Sequence, residues 1–215
     1  MAYLNWDTKI ISDFSQEYVE GMYAAGYVLT RVDKGIMNRT RSFRINLKKF
    51  EPSSENRRII RKAEDMKLSV EIIPYRGYDW RIGKLAKDFY AELGADFSSN
   101  KIKEVVTDKK KTNFNTLLTF NKSDDKPFGY VVCYESKNIL HYSYPFYKQD
   151  ENEPSRGLGM MTKAVEWAKA ANKDYIYLGS LQRSSDTYKL QFKGGEWFDG
   201  EMWRNDIEPL KEILK

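Results

Sequence analysis

The sequence predicts a mixed α/β (α+β) fold built on a largely antiparallel sheet, and three observations carry that reading. Apolar residues at helical spacing alternate with short apolar runs along most of the chain. Three runs, residues 117–120, 128–135 and 139–147, follow one another with only polar turns between them, the pattern of an antiparallel meander. A last run, Tyr175-Ile176-Tyr177-Leu178, follows a helical segment and stops at Gly179.

The elements follow in order. Phe14, Tyr18, Met22 and Ala25 share one face of a helix that stops near Gly26, and residues 27–32 form a strand. Phe43, Ile45 and Leu47 alternate with Arg44, Asn46 and Lys48 in the next strand. Pro52-Ser53-Ser54 opens a helix with Ser53 or Ser54 as cap and Ile59, Ile60, Ala63 and Met66 on its buried side. Residues 68–73 return as a strand ended by Pro74, and Ile82, Leu85, Phe89 and Leu93 mark another helix. Residues 96–113, polar and lysine-rich, read as a mobile loop. After the meander, Met161, Ala164, Val165 and Ala168 define an amphipathic helix. Gly157 and Gly159 stand at its start, where backbone N–H groups would face outward with no side chain in the way. The helix directs its positive end at the same place.

Composition narrows the classes. At 215 residues and 41% apolar, the chain suffices for one large domain or two small ones with a proper core. Its fifteen tyrosines suit core edges and wet clefts, having an apolar body and a polar tip. With no run of about 18 apolar residues and no charged-then-apolar leader, a soluble, cytoplasmic protein is expected. Cys133 is the only cysteine and lies in an apolar run, so internal disulfides are excluded. With His141 the only histidine, ligands for zinc or an iron–sulfur cluster are too few, and no metal is expected. His141 itself sits mid-strand among apolar and aromatic residues and reads as a strand-face residue, not a general base.

The net charge of +5 is moderate, but the cations cluster. Arg39, Arg41, Arg44, Lys48 and Lys49 precede Arg57, Arg58, Arg61 and Lys62, and Lys109-Lys110-Lys111 follows later. Such clusters are the footprint of phosphate-backbone binding, although a solvated helix face has the same pattern. Arg57, Arg58, Arg61 and Lys62 share a face opposite Ile59, Ile60 and Ala63, suited to tracking a polyanion.

With the elements laid out, the chain resembles the aminoacyl-tRNA–protein transferases, of the arginyl kind and their bacterial leucyl relatives. Tyr23-Ala24-Ala25-Gly26-Tyr27, Phe50-Glu51-Pro52-Ser53 with Arg57-Arg58, and Ser143-Tyr144-Pro145-Phe146-Tyr147 match that family in order. So do Leu158-Gly159, Glu166-Trp167-Ala168, Tyr177-Leu178-Gly179, and Tyr188-Lys189 with Phe192. The resemblance implies a GNAT-like acyltransferase fold, with a transferase-type α/β domain over residues 1–76 and a GNAT-like domain over 77–215. Charged tRNA and a protein or peptide N-terminus would be the partners, and no cofactor beyond the aminoacyl-tRNA is implied. The family's N-terminal cysteine cluster is missing, so its metal chemistry is not carried over. Ser180-Leu181-Gln182 stands where the family has bulky residues, which changes the expected pocket.

An aminoacyl ester needs mainly positioning and oxyanion stabilisation to react with an α-amine. The resemblance places Gly179, with the backbone of its strand, as oxyanion donor and Tyr188 and Gln182 near the reacting carbonyl. Leu178, Tyr147, Arg156, Gly157 and Gly159 would line the carrier site, and Lys189 would contact the tRNA 3′ end. Two other readings stay open. Residues 154–159 are close to the Q/R-x-x-G-x-G/A signature of acetyl-CoA-dependent N-acetyltransferases, where Tyr188 would reprotonate a thiolate. Pro154, however, has no N–H to offer a pyrophosphate. The other is a non-catalytic GNAT-like binding domain.

Overall fold

The structure is a computed structural model that describes residues 4–122 and 126–215. A small antiparallel sheet, ordered β1-β3-β2, contains β1 (Asp7–Ile10), β2 (Tyr27–Leu29) and β3 (Ile36–Arg39). An eight-stranded sheet is ordered β11-β10-β4-β9-β8-β7-β6-β5. Its strands are β4 (Ser42–Asn46), β5 (Met66–Ile72), β6 (Thr116–Lys122), β7 (Gly129–Glu135), β8 (Ile139–Tyr147), β9 (Tyr175–Ser180), β10 (Gly195–Phe198) and β11 (Trp203–Arg204). Every neighbouring pair in it is antiparallel except β8 and β9, so the expected mixed, largely antiparallel sheet is observed. The helices are α1 (Gln16–Ala24), α2 (Ser54–Lys62), α3 (Trp80–Glu92), α4 (Ser99–Thr107), α5 (Arg156–Ala170) and α6 (Glu208–Ile213).

Strand alternation divides the core into two layers. Leu117, Val132 and Tyr177 face the small sheet, α1, α3 and α4, whereas Leu118, Val131, Cys133 and Leu178 face α2, α5 and α6. Strands β4 and β5 come from the first 76 residues yet lie in the same sheet as β6–β11, so the division expected at residue 76 runs through one sheet.

Several expectations are corrected. Residues 96–113 contain α4, capped by the Ser98 hydroxyl, which accepts from Lys101 N at 3.2 Å. Ile102, Val105 and Val106 bury one face that the surrounding lysines obscured. In α1 the buried stripe is Val19, Met22 and Tyr23, whereas Phe14 and Tyr18 are exposed. The face turns because the Tyr23 hydroxyl reaches His141 Nδ1, 2.8 Å away. Of the first basic cluster, Arg44 is no phosphate ligand. It is buried, paired to Glu196 at 2.7 Å, and stacked on Tyr175 and Trp203 at 4.0 and 3.9 Å. The α2 cap is Ser53, reciprocated by Asn56, and Arg57, Arg58, Arg61 and Lys62 form the exposed face expected.

Gly26 ends α1 with φ +85°, and a Cβ there would overlap the fully buried Phe198 ring. Gly21, inside α1, has open space around it. Gly26→Ala should therefore cost about 2–5 kcal/mol, lowering Tm by roughly 5–15 °C in a circular-dichroism melt. Gly21→Ala should be neutral or stabilising by up to about 1 kcal/mol in the same melt.

Candidate active site

Parallel pairing between β8 and β9 lasts three residue pairs, Ile139–Tyr175 to His141–Tyr177, and then stops although both strands continue. Each strand carries one extra residue at that point. Val132 and Cys133 of β7 pair with Tyr144 and Tyr142, leaving Ser143 as a bulge on β8. Arg44 and Ser42 of β4 pair with Tyr177 and Ser180, leaving two residues of β9, Leu178 and Gly179, opposite one of β4. Gly179 accommodates this with φ +79° and has open space where a side chain would be. Beyond His141 and Tyr177 the strands splay into a wedge.

Three cavities meet there, and Ser143 lines all of them. The first, about 690 Å³, runs along Tyr147, Phe89 and Tyr90 to the α5 N-terminus at Ser155, Gly157 and Leu158. Arg58 and Lys62 of α2 border it, so the exposed cations of that helix adjoin the positive end of α5. The second, about 550 Å³, is the wedge itself, lined by Leu178, Gly179, Ser180, Gln182, Asp186, Tyr188 and Lys189. The third, about 470 Å³, opens on the opposite face of the sheet between the wedge and β2–β3, past Thr30, Arg31, Asn38, His141 and Tyr144.

Most of the expected site residues come together here. Tyr188 is 44% exposed and lines both the wedge and the α5-side cavity. Desolvation, with Asp186 and Tyr147 adding to it, pushes its phenol up to about 12, so it stays protonated at neutral pH. Tyr147 lines the first cavity, and Leu178 and Gly179 the wedge.

Other expected residues are engaged internally. Lys189 is 6% exposed, donating to Ser180 O at 2.8 Å and pairing with Asp186 at 3.2 Å. Burial draws its ammonium below the usual pKa, against the pull of Asp186. Gln182 accepts from Leu4 N (2.9 Å) and donates to Thr40 Oγ1 (3.0 Å), tying the loop after β9 to the segments before β1 and β4. Arg156 is buried against Lys148 O, Asp150 and Glu153. The two glycines also differ from expectation. Gly157 makes room for the Tyr147 hydroxyl, and a Cβ at Gly159 would stand 3.2 Å from Ala63, so both serve close packing. Gly159 N donates to Ser155 O at 2.8 Å; Gly157 and Leu158 remain in the first turn, where the helix has no carbonyl to offer.

His141, expected on a strand face, is 2% exposed and lines the third cavity. Burial lowers its pKa to about 3, so the imidazole is neutral at physiological pH. Among the described residues no group of three His, Cys, Asp or Glu is placed to hold a metal, and no helix is long and apolar enough to cross a membrane. Sequence reasoning missed Ser143, Arg31 and Asp186. Only the Asp186/Lys189 spacing, one short helical turn, offered a local signal.

Asp186 organises the loop after β9. Its carboxylate accepts from Gln182 N (2.9 Å) and Arg183 N (3.1 Å) as well as from Lys189. Burial alone would raise its pKa, but Lys189 and the two N–H groups outweigh this and hold it below the usual value. A depressed carboxyl pKa contributes stability above the unfolded value, about 3.9, that is lost as pH falls through the folded one. Asp186→Asn should thus lower Tm at pH 7 by roughly 4–8 °C, for about 2 kcal/mol. In melts from pH 7 to pH 2, that gap to the wild type should narrow below about pH 4.

No protein-family model matches the chain. Over 173 residues it is 21% identical to an aspartate/glutamate leucyltransferase of Saccharophagus degradans, covering 74% of this chain and 69% of that protein. It is 28% identical over 169 residues to one of Parvibaculum lavamentivorans, covering 76% and 68%. Among solved structures, L-PGS from Bacillus licheniformis superposes with a TM-score of 0.51 at 12% identity, covering 93% of this chain and 68% of that one. That last likeness concerns the fold alone. The helix-flanked, largely antiparallel sheet, opened at its parallel β8–β9 pair, is the mixed α/β fold expected from sequence, and about three quarters of the chain is similar to these two leucyltransferases.

Proposed function

We propose that this chain is an acyltransferase that moves an amino acid from aminoacyl-tRNA to the N-terminal α-amine of a protein or peptide. The observation that carries this reading is the continuity of the exposed cation face of α2 with the α5-side cavity and the wedge. A polyanion lying on Arg58, Arg61 and Lys62 would deliver its end past the N-terminus of α5 to Leu178 and Gly179. A small nucleotide carrier has no need of that outer face. The two similar proteins bear the name aspartate/glutamate leucyltransferase, which favours leucine as the group transferred and an acidic acceptor residue. Charged tRNA is the only co-substrate in this scheme, and the cytoplasm, where charged tRNA is available, is its setting.

The chemistry is aminolysis. The amine nitrogen attacks the ester carbonyl carbon, and the carbonyl electrons move to oxygen, which backbone N–H groups beside Gly179 would stabilise. The C–O bond to the ribose then breaks, and the proton lost by the amine balances the one gained by the ribose hydroxyl. Tyr188, protonated and lining the α5-side cavity, would hydrogen-bond that departing oxygen. Holding ester and amine on opposite sides of the wedge supplies the main acceleration, about 7–11 kcal/mol in favourable cases.

Purified chain should move radiolabelled leucine from charged tRNA onto a peptide with a free acidic N-terminus, and should not move acetyl from acetyl-CoA. Acetylation in place of leucyl transfer would make the protein an acetyltransferase, and neither reaction would make it a binding domain. Arg61→Ala with Lys62→Ala should lower kcat/KM about tenfold at low salt and reduce the slope of log affinity against log salt by up to roughly 0.7–0.9 per lost phosphate contact.

Tyr188→Phe should slow transfer by less than about tenfold, since positioning dominates. Tyr188 and His141, which line these cavities, each keep one protonation state through neutrality. The rate should therefore rise with pH as the acceptor α-amine, pKa near 8, loses its proton, and then level off. A bell-shaped profile centred near neutrality would point to an additional acid–base group.

A further inference from the structure

Arg31 lies at the end of β2 and lines the cavity on the face of the sheet opposite α5. That cavity shares Ser143, Gly179 and Ser180 with the wedge, so a ligand seated in it reaches the reaction centre from the side away from the tRNA. The Arg31 guanidinium is held by one neutral hydrogen bond, Nη2 to Asp96 O at 2.7 Å, and by ring faces, Phe97 at 4.0 Å and Tyr144 at 5.8 Å. Among the described residues no carboxylate forms an ion pair with it. Its neighbours contrast with it. Lys101, which donates to Val32 O in the same cavity wall, is paired with Glu104 at 2.5 Å, and Arg44 across the sheet is paired with Glu196. A half-buried guanidinium with five donors, one of them bonded here and no counter-charge, matches a planar carboxylate.

We propose that Arg31 is the specificity-determining residue of the acceptor pocket, binding the side-chain carboxylate of an acidic first residue while that residue's α-amine enters the wedge. This rests on the transferase reading above. Phe97 and Tyr144 hold the guanidinium plane, and Asp96 O orients it, so little rotamer freedom is lost when the acid docks. The uncharged amides of the same shape, Asn and Gln, lack the charge-assisted bonds and leave the guanidinium unanswered.

The test compares wild type with Arg31→Gln, which keeps a donor for Asp96 O, after thermal melts show both folded. Peptides differing only in their first residue, Asp, Glu, Asn or Gln, are assayed with leucyl-tRNA, and their binding is followed by anisotropy of a dye at the far end. Wild type should favour Asp and Glu over Asn and Gln by at least about tenfold in kcat/KM and in affinity, and Arg31→Gln should bring both ratios close to one. Transfer with no acid preference in wild type, or with a preference that survives Arg31→Gln, overturns the assignment and leaves the transferase reading standing. If no peptide is modified at all, the transferase reading falls, and binding decides on Arg31 alone. Acid-selective binding lost in Arg31→Gln supports the pocket, and equal binding overturns it.

Discussion

The separation of β8 from β9 after three residue pairs is the constraint on which the rest of this molecule depends. A continuous parallel ladder would fill the middle of the sheet with backbone hydrogen bonds and leave no passage between its faces. The extra residue on each strand, Ser143 on β8 and one at Leu178–Gly179 on β9, moves the two backbones apart just where helix α5 directs its N-terminus. Gly179 allows this because its φ of +79° would strain any residue with a Cβ. One geometric event thus opens the wedge and joins the cavities on the two faces of the sheet.

An open wedge in a sheet leaves backbone groups without their ladder partners, and each would cost about 1–3 kcal/mol if buried unsatisfied. Side chains from elsewhere answer them. The Lys189 ammonium takes Ser180 O, Asp186 takes the N–H groups of Gln182 and Arg183, and the Tyr90 hydroxyl takes Pro145 O at 3.0 Å. Residues that read in sequence as substrate contacts therefore hold the site's walls. The same holds for Gln182, whose amide ties the loop to Leu4 and Thr40, and for Arg156, which closes the segment before α5.

Charge is distributed asymmetrically about this opening. Exposed cations border the α5 side, a guanidinium without an ion-pair partner among the described residues borders the other, and between them Asp186 and Lys189 pair with each other while Tyr188 and His141 are neutral at physiological pH. On the proposed reading, such a site would take anionic partners from two directions and leave the chemistry to proximity and fixed dipoles. The Tyr23–His141 hydrogen bond lies on this second face, where burial keeps His141 uncharged.

The sequence by itself determined the elements whose signals are local. The meander, the α5 stripe of Met161, Ala164, Val165 and Ala168, the Ser53 cap and the exposed basic face of α2 all follow from periodicity and capping within ten or fifteen residues. Helix α4 escaped because lysines dilute its apolar spacing, and its burial is decided by α3 and the sheet beyond it. Collinear resemblance located Tyr147, Leu178, Gly179 and Tyr188 at the site, but it could not separate side chains that face the cavity from those that brace it. Only the tertiary structure decided that Arg44 is buried in an ion pair, that Lys189 is a buried brace, and that Arg31 has no ion-pair partner among the described residues. The outcomes for Arg44 and Arg31 depend on partners far away in sequence, Glu196 for Arg44 and Asp96 and Tyr144 for Arg31, and on which face of a strand the register presents, whereas Lys189 is braced by the nearby Ser180 and Asp186.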